Sequence, residues 1–371
     1  MKKIYLLFLL FACSLGLLAQ DSIKEVKIRV PDTIVMNHPV YFTIIGVGTE
    51  HTQVAAVGNI APDGYNGVQM AGIFNVGRGS MNGCQLAGVN NHCSDSLTGA
   101  QVSGTLNTVH GNVRGIQMTG GINVTDRDVY GMQMSGGMNI AGGDIYQLQA
   151  SGGMNYARNV HGIQATGGIN VASGTVTGVQ LSGGVNIAQN VKGAQVGVIN
   201  FADSVDGVMI GVFSFARHGY HKIELGWNET TPLNFAFRTG SNRFHNIFAF
   251  TADPRSSNII WGFGYGVGTS TKLSRRFDLG LDVVDYHINK GEFSESLSDL
   301  WKTSLMLDLH ITKNLSLAAG PTLSVFVTDM NPPGNELPVT GIAPYHFFQQ
   351  TYDNRWNAKA WVGANVTVRF F

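Results

Sequence analysis

Ten glutamines recur along the first half of the chain, at Gln53, Gln69, Gln85, Gln101, Gln117, Gln133, Gln149, Gln164, Gln180 and Gln195, with steps of 16 six times and then 15, 16 and 15. Six residues after each of the first nine stands an asparagine: Asn59, Asn75, Asn91, Asn107, Asn123, Asn139, Asn155, Asn170 and Asn186; after Gln195 the gap shrinks to five, at Asn200. A primary amide carries two N–H donors and an oxygen acceptor. A regular row of them can therefore hydrogen-bond to itself from one repeat to the next. It can also present a periodic face to an extended polymer, such as a glycan or peptidoglycan strand. The candidate ladder or binding face runs from Gln69 to Gln180 and from Asn75 to Asn186.

Other reactive residue types point to little chemistry. None of the eleven histidines sits at zinc spacing with a second His or Cys. "AGGDIY" at 141–146 occurs once, where calcium-binding Gly/Asp turns come in arrays. "GYGVG" at 264–268 has nucleotide-loop spacing but no helix after it. Asp278, Asp282 and Asp308 share a strand parity that would aim them into a lumen, where they are space-filling polar groups or a carboxylate pair. No nucleophile elbow is present. The reading is of a non-enzyme, with no catalytic residue, metal or cofactor expected. Cys84 and Cys93 read as small buried hydrophobes rather than a disulfide.

The elements that position the amides are strands. Each repeat unit carries two to four glycines, and each costs about 1 kcal/mol relative to Ala inside a helix. Val179, Leu181, Val185 and Ile187 share one parity, and Gln180, Ser182 and Asn186 the other, which is strand alternation. The apolar set is expected to fill a core, where volume matters more than identity. Two architectures fit. A β-solenoid stacks one coil per repeat, in parallel, so that each Gln lies above the last. A membrane barrel makes each repeat one antiparallel spanning strand, and its natural period would be the hairpin, about 32 residues, which is not observed. The shortened Gln195–Asn200 gap would flip every later residue within one straight strand, but is harmless at a corner, which the Gly-Gly pairs supply. Against this, residues 129–200 carry three formal charges, Asp144, Arg158 and Lys192, as a lipid-facing barrel would.

Composition divides the chain. Residues 65–216 hold 30 of the 48 glycines and 8 aromatics, while residues 217–371 hold 23 aromatics, so the two parts pack differently. The start reads as a secretory signal over residues 1–19: Lys2 and Lys3, then an apolar run from Ile4 to Leu18, then small residues near Ala19. Residues 20–50 read as a lead-in with strands, 51–219 as the repeat array and 220–371 as a membrane β-barrel. Without Lys2 and Lys3, 22 basic residues face 24 acidic ones, which argues against a nucleic-acid partner.

The C-terminal part alternates over long strands. "NIIWGFGYGVG" sets Ile259, Trp261, Phe263, Tyr265 and Val267 against Ile260 and four glycines. "RFDLGLDVV" and "SLMLDLHI" continue the pattern, with one face fit for lipid and one carrying charge. Eight strands are expected, near 221–227, 232–238, 243–251, 258–269, 275–286, 302–311, 314–328 and 357–370, with short and long connections alternating. The final strand, "AKAWVGANVTVRFF", ends in Phe370 and Phe371, a pair that reads as a signal to the outer-membrane assembly machinery.

"GVQLSGGVNIAQNVKGAQVGVINFA", "FAFRTGSNRFHNIFAF" and "WGFGYGVGTSTKL" together resemble the bacterial surface-repeat outer-membrane proteins, over most of the chain after the leader. That resemblance implies a location and no established activity; the Ser/Thr-Gly-Gly of the central units departs from the single Gly of shorter relatives. The fold expected is all-β: a solenoid-like array of roughly 16-residue repeats followed by an eight-stranded antiparallel barrel, or else one continuous barrel of about eighteen strands. The first implies a non-enzymatic, barrel-anchored platform in the outer membrane of a Gram-negative-type bacterium, in contact with lipid, with its repeats periplasmic. The second implies a porin-like channel.

Overall fold

The computed structural model describes residues 40–370 except Thr49, Gly334, Asn335 and Pro344. The signal-peptide reading, most of the lead-in and Phe371 lie outside the described residues. Among the described residues every regular element is a β-strand. The first 22 strands, Val40–Val47 to Phe213–His218, form one parallel assembly, and the remaining nine form an antiparallel sheet.

The repeats form a β-solenoid. Each coil has two strands, one carrying Gln and one carrying Asn, such as Met132–Ser135 and Met138–Ala141. Each strand pairs in parallel with its equivalents in the coils before and after, so Gln133 lies between Gln117 and Gln149, and Asn139 between Asn123 and Asn155. Parallel pairing removes the continuous eighteen-strand barrel, whose neighbours would be antiparallel. The Gly-Gly corner is observed between the two strands. A Cβ on Gly136 would come within 2.5 Å of the Gly120 carbonyl oxygen and one on Gly137 within 2.8 Å of the Gly121 carbonyl oxygen, so the corner stacks only without side chains. The shortened unit also behaves as expected. Gln195 aligns with Gln180 and Asn200 with Asn186, the missing residue being absorbed at the Gly197–Val198 corner.

One expectation is reversed. The apolar residues beside Gln and Asn do not fill the core. Gln180 and Asn186 point in, while Leu181 stands 40% exposed outside. The interior holds four rows. Two are the amides, one is small (Ala61, Cys93, Ala141, Ala157, Ala172, Ala188) and one is large (Tyr65, Met81, Leu97, Val113, Ile145, Val176). The physical reason is width: between the two strands of a narrow coil, amides satisfied by the next coil cost little to bury, and the bulky aliphatics on the opposite parity are left outside.

The C-terminal part is a closed eight-stranded antiparallel barrel. Its strands are Tyr220–Asn228, Leu233–Gly240, His245–Asp253, Ile260–Lys272, Phe277–Lys290, Ser298–His310, Leu315–Asp329 and Trp356–Phe370. The seam closes where Ile223–Asn228 pairs with Asn365–Phe370. Several strands run past the expected ends, to Lys290 and back to Ser298 for example, because each continues as long as a partner is present. A ninth strand, Phe348–Tyr352, lies within the stretch expected to be a loop and pairs with Trp356–Ala360 beyond the reach of the first strand. Outward parity is apolar: Leu225, Trp227, Phe235, Phe263, Leu281 and Leu305 are all exposed.

The last coil docks on the barrel at the end that holds the short turns. The Ser214 amide donates to Asn246 Oδ1 (3.0 Å), Asn246 Nδ2 donates to the Gly211 carbonyl (2.7 Å), and Thr239 Oγ1 donates to the Ser214 carbonyl (3.0 Å).

Candidate functional site: the amide ladders and the filled lumen

The candidate residues Gln69 to Gln180 and Asn75 to Asn186 are brought together as two continuous rows, all inside the solenoid and all without solvent exposure. In the Gln row each Nε2 donates to the Oε1 of the preceding coil, from Gln69 onto Gln53 up to Gln195 onto Gln180, at 2.7–3.0 Å. In the Asn row the direction is opposite. Each Nδ2 donates to the Oδ1 of the following coil, from Asn59 onto Asn75 up to Asn186 onto Asn200, at 2.8–3.0 Å. The two rows of amide dipoles therefore run antiparallel and offset one another. Each Asn also donates to a backbone carbonyl beside the next corner, as Asn139 does to Ala150 (2.6 Å), and so pins the Gly-Gly turn.

This geometry decides between the two uses of an amide row. The side chains are hydrogen-bonded along the stack and turned away from any external chain, so the polymer-binding face proposed on these residues is not formed by them. The direction of donation also predicts where each ladder must end with an unused oxygen. Gln195 Oε1 faces Met209 in the next coil, Asn59 Oδ1 faces Gly46 in the coil before, and both are buried without a partner. Where Thr125 replaces an apolar residue of the small row, its hydroxyl joins the ladder, donating to Gln117 Oε1 (2.8 Å) and accepting from Gln133 Nε2 (3.0 Å).

The barrel interior is built differently. Lys222 donates to Asp308 (2.8 Å), Arg238 to Glu224 (2.8 Å) and Asp282 (2.9 Å), and Arg369 to Glu224 (2.9 Å) and Asp308 (3.1 Å). Three cations and three carboxylates, all buried, make a network of zero formal charge. Asp282 and Asp308 are thus held by cations rather than by each other, and Asp278 pairs with His310 (2.9 Å); the three do not form a carboxylate pair. Towards the other end, Ile260, Ile288, Leu300, Phe326 and Trp361 pack under Val339 and Ile342 from the long loop after Asp329. Side chains fill the lumen at both levels. Glu224, Arg238 and Arg369 were not singled out by sequence, although their inward parity was readable.

Among the other residues weighed, Cys84 and Cys93 are free, Cys93 being buried in the small row. His92 touches Thr108 and Ser94, and burial pushes its pKa down. Burial alone would raise the pKa of Asp144, but hydrogen bonds from Arg158, Asn159 and His161 outweigh it and hold the carboxyl below its ordinary range. Among the described residues no group of three or more His, Cys, Asp or Glu could hold a metal ion. Phe370 is exposed on the outer wall beside the seam. No family model, curated protein or solved structure matches the chain.

Proposed function

We propose that the protein is a non-enzymatic outer-membrane protein in which the barrel is the anchor and the solenoid is a rigid, non-conducting platform attached to it. The observation that carries this reading is the polarity of the barrel: charge and hydrogen bonding inside, aliphatic and aromatic side chains outside on every strand, with the eight-stranded wall closed on itself. Only such a closed structure satisfies its own backbone in lipid. Buried ion pairs and the packing of Trp361, Val339 and Ile342 occupy the lumen, which speaks against the porin reading. The resemblance to surface-repeat outer-membrane proteins points to the same location. Because chain termini and short turns lie at the periplasmic end of such barrels, the solenoid, which joins at that end, extends from the periplasmic side. The amide rows serve stacking, and any ligand of the platform binds on its outer faces.

The test is expression in a Gram-negative host, followed by alkaline carbonate extraction of the outer-membrane fraction and gel mobility with and without heating. Retention in the membrane together with a heat-dependent mobility shift is expected. Complete release by carbonate would refute the anchor. Planar-bilayer recordings should show no stable conductance; a stable open channel would restore the porin.

A further inference from the structure

Over residues 113–216 the two strands of each coil turn their amides in and their apolar neighbours out. The outer side chains of the Gln strands are Ile116, Met118, Met134, Leu148, Ile163, Leu181 and their neighbours, and those of the Asn strands include Ile122, Met138, Ile140, Ile169, Val185 and Phe201. Ile163 is 42% exposed, Ile169 36% and Ile210 41%. Two charges fall within these strands, Arg114 at the start of Val113–Thr119 and Asp203 near the end of Ile199–Val205, each at the strand end away from the Gly-Gly corner; the rest of both faces is uncharged. The charges of these coils, among them Asp126, Arg127, Asp128, Asp144, Arg158 and Lys192, lie on the third edge, opposite the Gly-Gly corner. Along that edge Tyr130, Tyr146 and His161 stack in a row, with centroids 4.6 and 4.9 Å apart.

We propose that both apolar faces, on either side of the Ser/Thr-Gly-Gly corner, are a lipid-contacting surface, with the acyl chains of the periplasmic leaflet as the occupant and the charged edge turned to the headgroups and water. This rests on the barrel being a membrane anchor. Three observations favour lipid over a protein. First, the apolar surface occupies two faces that meet at the Ser/Thr-Gly-Gly corner, a shape that a fluid covers and a single flat partner does not. Second, the central parts of the two faces offer almost no hydrogen-bonding side chains, where a protein interface of ordinary size carries about ten hydrogen bonds. Third, the apolar surface is continuous with the barrel wall. Phe201 contacts Phe213, Phe213 contacts Phe248, and Phe248 contacts Tyr265, at centroid distances of 6.0, 6.0 and 5.5 Å; Phe248 and Tyr265 share the parity of the outward Phe250 and Phe263. The stack also meets the requirement that lipid imposes, since every internal coil pairs its strand backbone with the coils on both sides and amide ladders satisfy its inward polar side chains. The corner carries two shallow grooves, of about 500 and about 480 Å³, lined by Met118, Met134, Leu181 and Val196 beside a row of hydroxyls that includes Thr119 and Ser182. These are open furrows that suit acyl chains. The Tyr/His row beside the charges matches the aromatic belt expected at the edge of the hydrocarbon.

The experiment uses the full chain, with Cys84 and Cys93 replaced by Ala, refolded into phosphatidylcholine–phosphatidylglycerol vesicles and labelled at single cysteines with an environment-sensitive fluorophore. The sites are Leu181→Cys and Ile169→Cys on the two faces, Arg127→Cys on the charged edge and Leu281→Cys on the barrel wall. Heat-dependent gel mobility selects folded protein for each variant. Blue-shifted emission quenched by brominated acyl chains is expected at positions 169, 181 and 281, and quenching by aqueous iodide at 127. Lipid contact at 281 with iodide quenching at 169 and 181 would overturn the inference and leave the anchor standing. Protection of 169 or 181 from both quenchers would overturn it in favour of a protein partner or a second copy. Iodide quenching at 281 would remove the anchor itself, and the inference with it.

Discussion

The solenoid and the barrel both hide polar groups and expose apolar ones, but they neutralise their interiors by different chemistry. The barrel uses Lys222, Arg238 and Arg369 against Glu224, Asp282 and Asp308. The solenoid uses rows of a single uncharged residue type. The difference follows from symmetry. A solenoid repeats by translation, so each residue meets a copy of itself above and below. A carboxylate only accepts and a guanidinium only donates, so a translated row of either would stack like charges with no hydrogen bond between them. An amide is donor and acceptor at once and can be repeated without limit. The barrel has no such translation, and opposite charges can be placed wherever two strands face each other.

Breaking the charged interior should cost most. Arg369→Met leaves Glu224 and Asp308 each one partner short inside the barrel, and loss of one member of a buried ion network costs about 3–5 kcal/mol. Equilibrium urea unfolding of the refolded barrel should show it, with a failure to refold as the extreme. No change in midpoint would mean the lumen is hydrated and the network idle.

Next comes charge placed in the neutral interior. Gln133→Glu keeps the shape but removes the donor to Gln117 Oε1 and adds a buried charge, so it should destabilise the solenoid more than Gln133→Leu does. Gln133→Leu itself should cost about 1–3 kcal/mol, from amides left unpaired in the row. Limited proteolysis across the repeats measures both. Arg158→Ala on the exposed edge should leave the digestion pattern unchanged. If Leu and Glu are equally tolerated, translation symmetry does not constrain the row.

The smallest effect sharpens the comparison by extending a ladder. Met209→Gln places a donor opposite the unused oxygen of Gln195 but passes the unused oxygen on to its own amide, so the stability of the terminal coil should change by less than about 0.5 kcal/mol. Unchanged proteolysis near Gly207–Gly211 is expected; faster cleavage would mean that Met209 is needed as packing for the barrel junction.

Much of this contrast was legible in the chain. The fixed spacing of Gln133, Asn139 and their equivalents gave parallel stacking, and the one-residue slip before Asn200 gave the corner, because register errors are tolerated only where a strand ends. The alternation in "RFDLGLDVV" gave the barrel wall. What could not be read was which parity of a repeat faces in. Alternation separates Gln180 and Asn186 from Leu181 and Ile187 but does not orient them, and the usual rule that apolar residues lie inside pointed the wrong way. The low charge of residues 129–200, which a lipid-facing barrel would also show, reflects the solenoid's apolar exterior. The direction of each ladder was likewise invisible, since the two ends of an amide row read alike in sequence, and the cations that pair Asp282 and Asp308 come from strands far along the chain.

The most direct test is hydrogen exchange of the side-chain carboxamides, followed by NMR on protein labelled with ¹⁵N only at Gln and Asn. With the amides stacked inside, the ladder residues from Gln69 to Gln180 and from Asn75 to Asn186 should exchange slowly and as a group, while the exposed Gln349 and Gln350 exchange at the rate of free amides. Ladder carboxamides that exchange as fast as Gln349 would place them on the surface and contradict the account.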